Sequence, residues 1–172
     1  MTKSILILLL VVFNSTTVLF SQTNSVQQEN NSVQSVFESY FALKDGLVRT
    51  DANLASIKAK DLETAIQAVK MDKLPMNVHT VWMKVLKELK EDTEHINESR
   101  DIAHQRDHFM SLSKNMYEVI KVVKPTDVVY YQFCPMANKG KGANWLSKEN
   151  AIKNPYYGTQ MLSCGKTVEI IK

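Results

Sequence analysis

Four stretches of the chain repeat apolar residues every three or four positions, which is the spacing of one face of an α-helix. This periodicity predicts helices over residues 33–49, 52–71, 76–97 and 102–123. Asp51 has the side chain of a helix N-cap, and either Ser99 or Asp101 can cap the fourth helix. Because the connections between them are short, successive helices should run antiparallel. We therefore predict a mainly α fold, an antiparallel four-helix up-and-down bundle.

The apolar face of each helix predicts which residues form the core. Large apolar side chains on these faces should be buried because each helix can hide its stripe only against the others. We expect burial above all of Val36, Phe41, Trp82, Leu89 and Phe109.

The pattern changes after Pro125. Residues 127–133 are β-branched and aromatic and predict a short strand, whereas residues 137–144 read as a loop. Residues 161–162 and 167–171 are candidates for further extended pieces. We expect the segment 125–172 to be loop-rich and partly extended, and to pack on the bundle.

The N-terminus has the pattern of a secretory signal peptide. Lys3 precedes a nine-residue apolar run, residues 5–13, whereas a membrane-spanning helix needs about 20 apolar residues. An uncut membrane anchor is the alternative. We predict a signal peptide over 1–21, a flexible linker over 22–32 and a single domain over 33–172. Export would place the mature protein in the periplasm or outside the cell, and in both places disulfides persist. We expect no membrane span in the mature protein.

Composition and motifs exclude several function classes. The net charge of +3 gives no strong electrostatic case for nucleic acid as a partner. The chain has no nucleophile elbow, phosphate-binding loop, dinucleotide fingerprint or zinc-peptidase motif. Its cysteines do not form the C-x-x-C motif of thioredoxin-like proteins. We therefore expect no enzyme.

Candidate chemistry lies in two short segments that hold both cysteines. Cys134 is followed by Met136, and Met161 precedes Cys164. Thiolate and thioether sulfur are soft ligands that suit Cu(I), so the four residues are candidate metal ligands. In an exported protein, Cys134 and Cys164 can instead form a disulfide, with the two methionines only packing nearby. Free buried thiols are the third alternative, and the sequence leaves all three open.

His104 and His108 are weaker candidates for metal ligands. Their i, i+4 spacing on the fourth helix lets two imidazoles reach one ion. Two solvated surface histidines are the alternative, since a lone pair of this kind is not a specific motif.

Several blocks of the chain form a recognisable set. They are HQR at 104–106 with Phe109, Leu112 and Ser113, FCPMA at 133–137, KGANWL at 141–146, IKNPYYG at 152–158 and MLSCG at 161–165. Together they resemble one family of uncharacterised bacterial exported domains that is common in Bacteroidetes. This family also occurs at the C-terminus of periplasmic adaptor subunits of copper/silver-type heavy-metal efflux pumps. The resemblance spans about residues 33–171.

The resemblance implies a helical periplasmic domain with a link to copper or related metals. From it and from the sulfur ligands, we expect an exported protein that binds a soft metal ion, Cu(I) above others, in heavy-metal handling or efflux. An efflux adaptor or another envelope protein is the expected partner. The alternative is a disulfide-stapled helical interaction module of the cell envelope that binds no metal.

Overall fold

The computed structural model describes the backbone of residues 20–172 and, from Ser32 onward, the side chains. The predicted signal peptide, residues 1–21, therefore lies outside the described residues except at its end. The described chain is mainly helical. Its four α-helices are α1 Phe20–Val48, α2 Ala52–Ala68, α3 Met76–Glu98 and α4 Ile102–Val123.

Two helix starts follow the N-cap signals in the sequence. The Asp51 carboxylate accepts a hydrogen bond from Leu54 N at 2.9 Å, and the Asp101 carboxylate accepts one from Ala103 N at 2.9 Å. Each bond satisfies a backbone N–H that the first turn of a helix leaves without a partner. The prediction of caps at these positions is confirmed, with Asp101 rather than Ser99 as the N-cap of α4.

Two helix boundaries differ from those expected. α1 begins at Phe20, so residues 22–32 continue the helix in the structure where the sequence predicted a flexible linker. Helix α2 ends at Ala68 instead of residue 71, because the chain turns through a 3-10 helix, Met71–Lys73, before Pro75. Polar residues weaken the apolar periodicity at the start of α1, and periodicity is the signal on which the prediction rested.

The helices bury a common apolar core. Successive helices contact one another, and α1 also contacts α4. All five core predictions are confirmed: Val36, Trp82, Leu89 and Phe109 are fully buried, and Phe41 is 6% exposed. None of the helices in the described part of the chain is long and apolar enough to cross a membrane.

A three-stranded antiparallel sheet follows the helices. Its strands are β1 Val129–Cys134, β2 Ala143–Ser147 and β3 Lys166–Ile171, in the order β2-β1-β3. The strand predicted over 127–133 and the extended piece over 167–171 are present, whereas residues 161–162 lie in a turn. β2 was not predicted; it begins inside the segment expected to be a loop and contains the polar residues Asn144 and Ser147.

The sheet is attached to the helices by packing and by buried hydrogen bonds. β2 packs against α4, and Trp145 and Leu146 are fully buried. The Tyr40 hydroxyl on α1 lies 2.8 Å from Ser113 Oγ on α4 and accepts a hydrogen bond from Leu146 N at 3.1 Å. The C-terminal segment thus shares one core with the bundle.

Candidate metal centres

The pairing of β1 with β3 brings the two cysteines together. Cys134 is the last residue of β1, and Phe133 pairs with Lys166 at the start of β3. Cys164 therefore lies beside the end of β1, and its Sγ is 3.1 Å from Cys134 Sγ. Both residues are free thiols; Cys134 is fully buried and Cys164 is partly exposed.

A buried asparagine holds the turn that carries Cys164. The Asn154 side-chain amide donates to the Cys164 carbonyl at 2.8 Å, and its backbone N–H donates to Leu162 O at 2.8 Å. Its side-chain oxygen accepts from Tyr156 N at 2.8 Å. Asn154 is fully buried, so these bonds are shielded from competing water. The position of Cys164 is thereby set by the IKNPYYG segment that also contributed to the family resemblance.

The loop after Cys134 is tied to the same place. The Tyr157 hydroxyl donates to Met136 O at 2.7 Å, and the Met136 backbone lies close enough to the Cys164 thiol to lower its pKa. Two separate turns, one after β1 and one before β3, therefore meet at the sulfur pair.

The environment of Cys164 favours its protonated form. The hydrogen bond with Cys134 raises the pKa of the Cys164 thiol, burial raises it further, and the contact with the Met136 backbone lowers it. A thiolate is the form that ligates a metal or attacks a disulfide. A metal ion that binds here must therefore displace a proton.

Gly165 permits the close approach of β3 to β1. Its φ is +144°, and a Cβ at this position would lie 2.8 Å from Phe133 O and 3.0 Å from the Trp145 ring. Any side chain would push the strand, and Cys164 with it, away from Cys134.

The two predicted thioether ligands lie at the surface next to the thiols in sequence. Met136 is 52% exposed and Met161 is 38% exposed. Cys164 N donates to Met161 O at 3.0 Å, so Met161 belongs to the same turn as Cys164. Exposed methionine side chains have three rotatable bonds and are free to reorient toward a ligand.

The predicted histidines join a third histidine instead of the cysteines. His95 near the end of α3 lies beside His104 and His108 near the start of α4, and one ring nitrogen of each lies within 4.8 Å of the others. Among the residues that the structure describes, no cysteine belongs to this cluster. The His95 and His108 rings stack at 4.4 Å between centroids, and His104 lies edge-on to His108 at 4.7 Å.

The buried Asp92 carboxylate contacts the histidine cluster from the interior of the protein. Asp92 Oδ1 lies 3.0 Å from His108 Nδ1, and Asp92 is only 6% exposed. Burial raises the pKa of the Asp92 carboxyl, and the hydrogen bond with His108 opposes this rise.

Sequence reasoning missed His95 and Asp92, although the chain contains a signal for both. Helices α3 and α4 are joined by a short turn, so residues near the end of α3 should face residues near the start of α4. Asp92 contacts His108, and the His95 ring stacks on the His108 ring; all three residues lie within eight positions of Arg100. A reading that treats each helix alone cannot find such pairs.

Comparison with known proteins adds one family match. Residues 36–127 match the family described as "Protein of unknown function (DUF3347)". No curated protein and no solved structure matches the chain. The matched range contains the three clustered histidines and Asp92 and ends before both cysteines.

Proposed function

Because the chain belongs to the DUF3347 family, whose function is unknown, its role has to be argued from its own side chains, and we propose that it binds a soft transition metal ion, Cu(I). The observation that carries this proposal is the thiol pair, in which Cys134 Sγ and Cys164 Sγ lie 3.1 Å apart. Two thiolates in contact can ligate one ion without rearrangement of the backbone.

The chemistry of the neighbouring residues supports a soft ion over a hard one. Thiolates accept both Cu(I) and Zn(II), whereas thioethers are poor ligands for hard ions and acceptable ligands for Cu(I). Met136 and Met161 each lie in one of the two turns that meet at the thiols, and both side chains are exposed. In this proposal Cys134 and Cys164 lose their protons as the ion binds, and the methionines complete the coordination.

The proposal also covers the compartment in which the protein acts, its role and its partner. The signal-peptide pattern of residues 1–21 supports export to the periplasm, and the sequence resemblance supports a role in copper or heavy-metal efflux with an adaptor or another envelope protein as partner. The short connections and the contacts of successive helices support an up-and-down bundle as the scaffold.

A second candidate function rests on the same pair of sulfur atoms. In an oxidising compartment a disulfide oxidant can instead take two electrons and two protons from the thiol pair, and the resulting disulfide would link the end of β1 to the turn before β3. The protein would then be a stapled interaction module without metal. The two candidates predict different states of Cys134 and Cys164 in the exported protein, because a metal site needs both cysteines as thiols and a staple needs both oxidised to one disulfide.

A Cu(I) competition titration on the reduced protein separates these functions. A chromogenic Cu(I) chelator serves as the competitor, and the parent should withdraw one equivalent of Cu(I) from it. Cys134→Ala with Cys164→Ala should abolish this binding; alanine is chosen because Cys134 is buried. Met136→Leu with Met161→Leu should weaken Cu(I) binding and leave thiolate binding of Zn(II) unchanged. Leucine has nearly the volume of methionine, so each substitution should lower the free energy of unfolding by less than about 1.5 kcal/mol.

Matched controls make both outcomes interpretable. Met71 and Met83 are 38% and 50% exposed and lie on other parts of the surface, so their double replacement by leucine should not change Cu(I) binding. If Met136→Leu with Met161→Leu binds Cu(I) as tightly as the parent, thioether ligation is wrong. If the reduced parent binds no Cu(I), the metal proposal fails. A free-thiol count of zero in the exported protein would then favour the stapled module.

A further inference from the structure

Three of the four histidines in the chain lie together at one place on the surface. They are not ligands in the proposed Cu(I) site. His95 and His104 are exposed and His108 is half-buried, and one ring nitrogen of each lies within 4.8 Å of the others. Nitrogen ligands that share a tetrahedral zinc ion lie roughly 3.3 Å apart, given Zn–N bonds of about 2.0–2.1 Å. His95 and His104 are exposed, so their side chains can rotate to bring the ring nitrogens to this separation.

The cluster lies on two helices that are held together by contacts along their length. His95 belongs to α3 and the other two histidines to α4, and these helices are joined by a short turn. Contacts farther along the same helices, such as Asn115 Nδ2 donating to Glu88 Oε2 at 2.8 Å, keep them in register. Gln105, fully buried between His104 and Arg106, donates to Ile96 O at 3.1 Å and to Ser99 O at 2.9 Å and so fixes the turn itself.

Asp92 prepares His108 to act as a ligand. Its Oδ1 lies 3.0 Å from His108 Nδ1, so in the neutral imidazole Nδ1 carries the proton and Nε2 carries the free lone pair. Metal-bound histidines commonly make such a hydrogen bond to a carboxylate, which fixes the ring and increases its basicity. The rest of the Asp92 carboxyl group is buried in the protein interior.

The donor set indicates the class of ion. Three imidazoles suit borderline divalent ions such as Zn(II) or Cu(II), whereas Ca²⁺ and Mg²⁺ require oxygen ligands. Next to His95 and His104 an open depression is lined by Glu98 and Asp101, which add negative charge for a dication. The fourth coordination position is left to solvent or to an exogenous ligand.

We infer that His95, His104 and His108 form a second metal site, one for a borderline divalent ion, with Asp92 as a positioning residue. This site is independent of the proposed Cu(I) site, because its ligands are nitrogen atoms on the α3–α4 hairpin and no cysteine lies among them.

Zn(II) competition titration on the full chain carrying Cys134→Ala and Cys164→Ala tests this inference without interference from thiols. This protein should bind one equivalent of Zn(II). His95→Ala and His104→Ala change exposed residues and should leave folding intact while they lower Zn(II) affinity. Asp92→Asn should weaken binding by about 10–100-fold, the usual effect of losing an orienting carboxylate.

His79 provides the matched control, since it lies on α3 away from the cluster. His79→Ala should bind Zn(II) as the parent does. In NMR spectra the imidazole resonances of His95, His104 and His108 should shift with one equivalent of Zn(II), while those of His79 stay in place. The inference is overturned if the thiol-free protein binds no Zn(II), if His95→Ala keeps the parental affinity, or if only His79 shifts. Failure of Cu(I) binding at the thiols would leave all these results unchanged.

Discussion

The Tyr40 hydroxyl accepts a hydrogen bond from Leu146 N, 106 residues farther along the chain, at 3.1 Å. The same hydroxyl lies 2.8 Å from Ser113 Oγ, so one fully buried oxygen joins α1, α4 and β2. Burial raises the pKa of Tyr40 far above its usual value, which keeps the hydroxyl neutral. This contact connects the sheet that carries the thiols to the helices that carry the histidines.

Tyr40→Phe should destabilise the protein by about 1–3 kcal/mol, because it leaves Ser113 Oγ and Leu146 N buried without this partner. Urea unfolding followed by circular dichroism measures the change. Tyr130 is half-buried, and its hydroxyl makes no hydrogen bond within the described chain. Tyr130→Phe should therefore change stability by less than about 0.5 kcal/mol. Equal effects of the two substitutions would contradict the role given to Tyr40.

Phe109→Ala should cost about 3–5 kcal/mol through lost burial and the cavity that remains. Phe109 is fully buried and stacks on Tyr40 at 5.3 Å between ring centroids, and the Tyr156 ring lies tilted to it at 6.0 Å. The same unfolding experiment applies, with Met83→Ala, at a half-exposed position, as the control. A loss of less than about 1 kcal/mol at Phe109 would show that the core is packed differently.

Gly165→Ala should both destabilise the sheet and separate the thiols. The new Cβ would collide with Phe133 O and the Trp145 ring, and φ is +144°. We expect a loss of about 1–3 kcal/mol and weaker Cu(I) binding. Gly140 also has a positive φ, of +83°, but nothing lies within 4 Å of its Cβ position. Gly140→Ala should therefore cost only about 1 kcal/mol and leave Cu(I) binding unchanged. If Gly165→Ala binds Cu(I) as tightly as the parent, the spacing of β1 and β3 does not control the Cu(I) site.

Glu169 should contribute a pH-dependent part of the stability. Its carboxylate accepts from Lys121 Nζ at 2.7 Å and from the Tyr117 hydroxyl, and these bonds lower its pKa in the folded protein. The stabilisation is therefore present above the unfolded-state pKa of about 4.3 and is lost as pH falls through the lower folded-state pKa.

The measurement is the difference in unfolding free energy between the parent and Glu169→Gln at several pH values. This difference should be largest near neutral pH and should shrink below about pH 4. Glu118 is exposed and makes no ion pair within the described residues, so Glu118→Gln is the control and should show no such trend. A difference for Glu169→Gln that grows as pH falls would have the wrong sign for this account.

The helices could be predicted from the sequence because their signals are local. Apolar periodicity and the Asp51 and Asp101 caps each act within a few residues, and they located α2, α3 and α4 to within three residues of their observed ends. β2 could not be predicted in the same way, since it is short and exists because it pairs with β1 and packs on α4.

The thiol pair and the histidine cluster were also predictable only as far as their signals are local. The proximity of Cys134 and Cys164 was expected from residue chemistry, but the register that produces it depends on a glycine contact and on Asn154. His104 and His108 were visible as a pair on one helix. His95 and Asp92 join them only through the fold of the α3–α4 hairpin, which requires reading two helices together.

X-ray absorption at the copper edge of the reduced protein loaded with one equivalent of Cu(I) tests the central claim most directly. It reports which atoms surround the ion, so it distinguishes the thiol pair from the histidine cluster in a single sample. The account predicts a first coordination shell of sulfur only, which Cys134→Ala with Cys164→Ala removes and His95→Ala with His104→Ala leaves unchanged. A shell of nitrogen atoms that persists without the cysteines would contradict it.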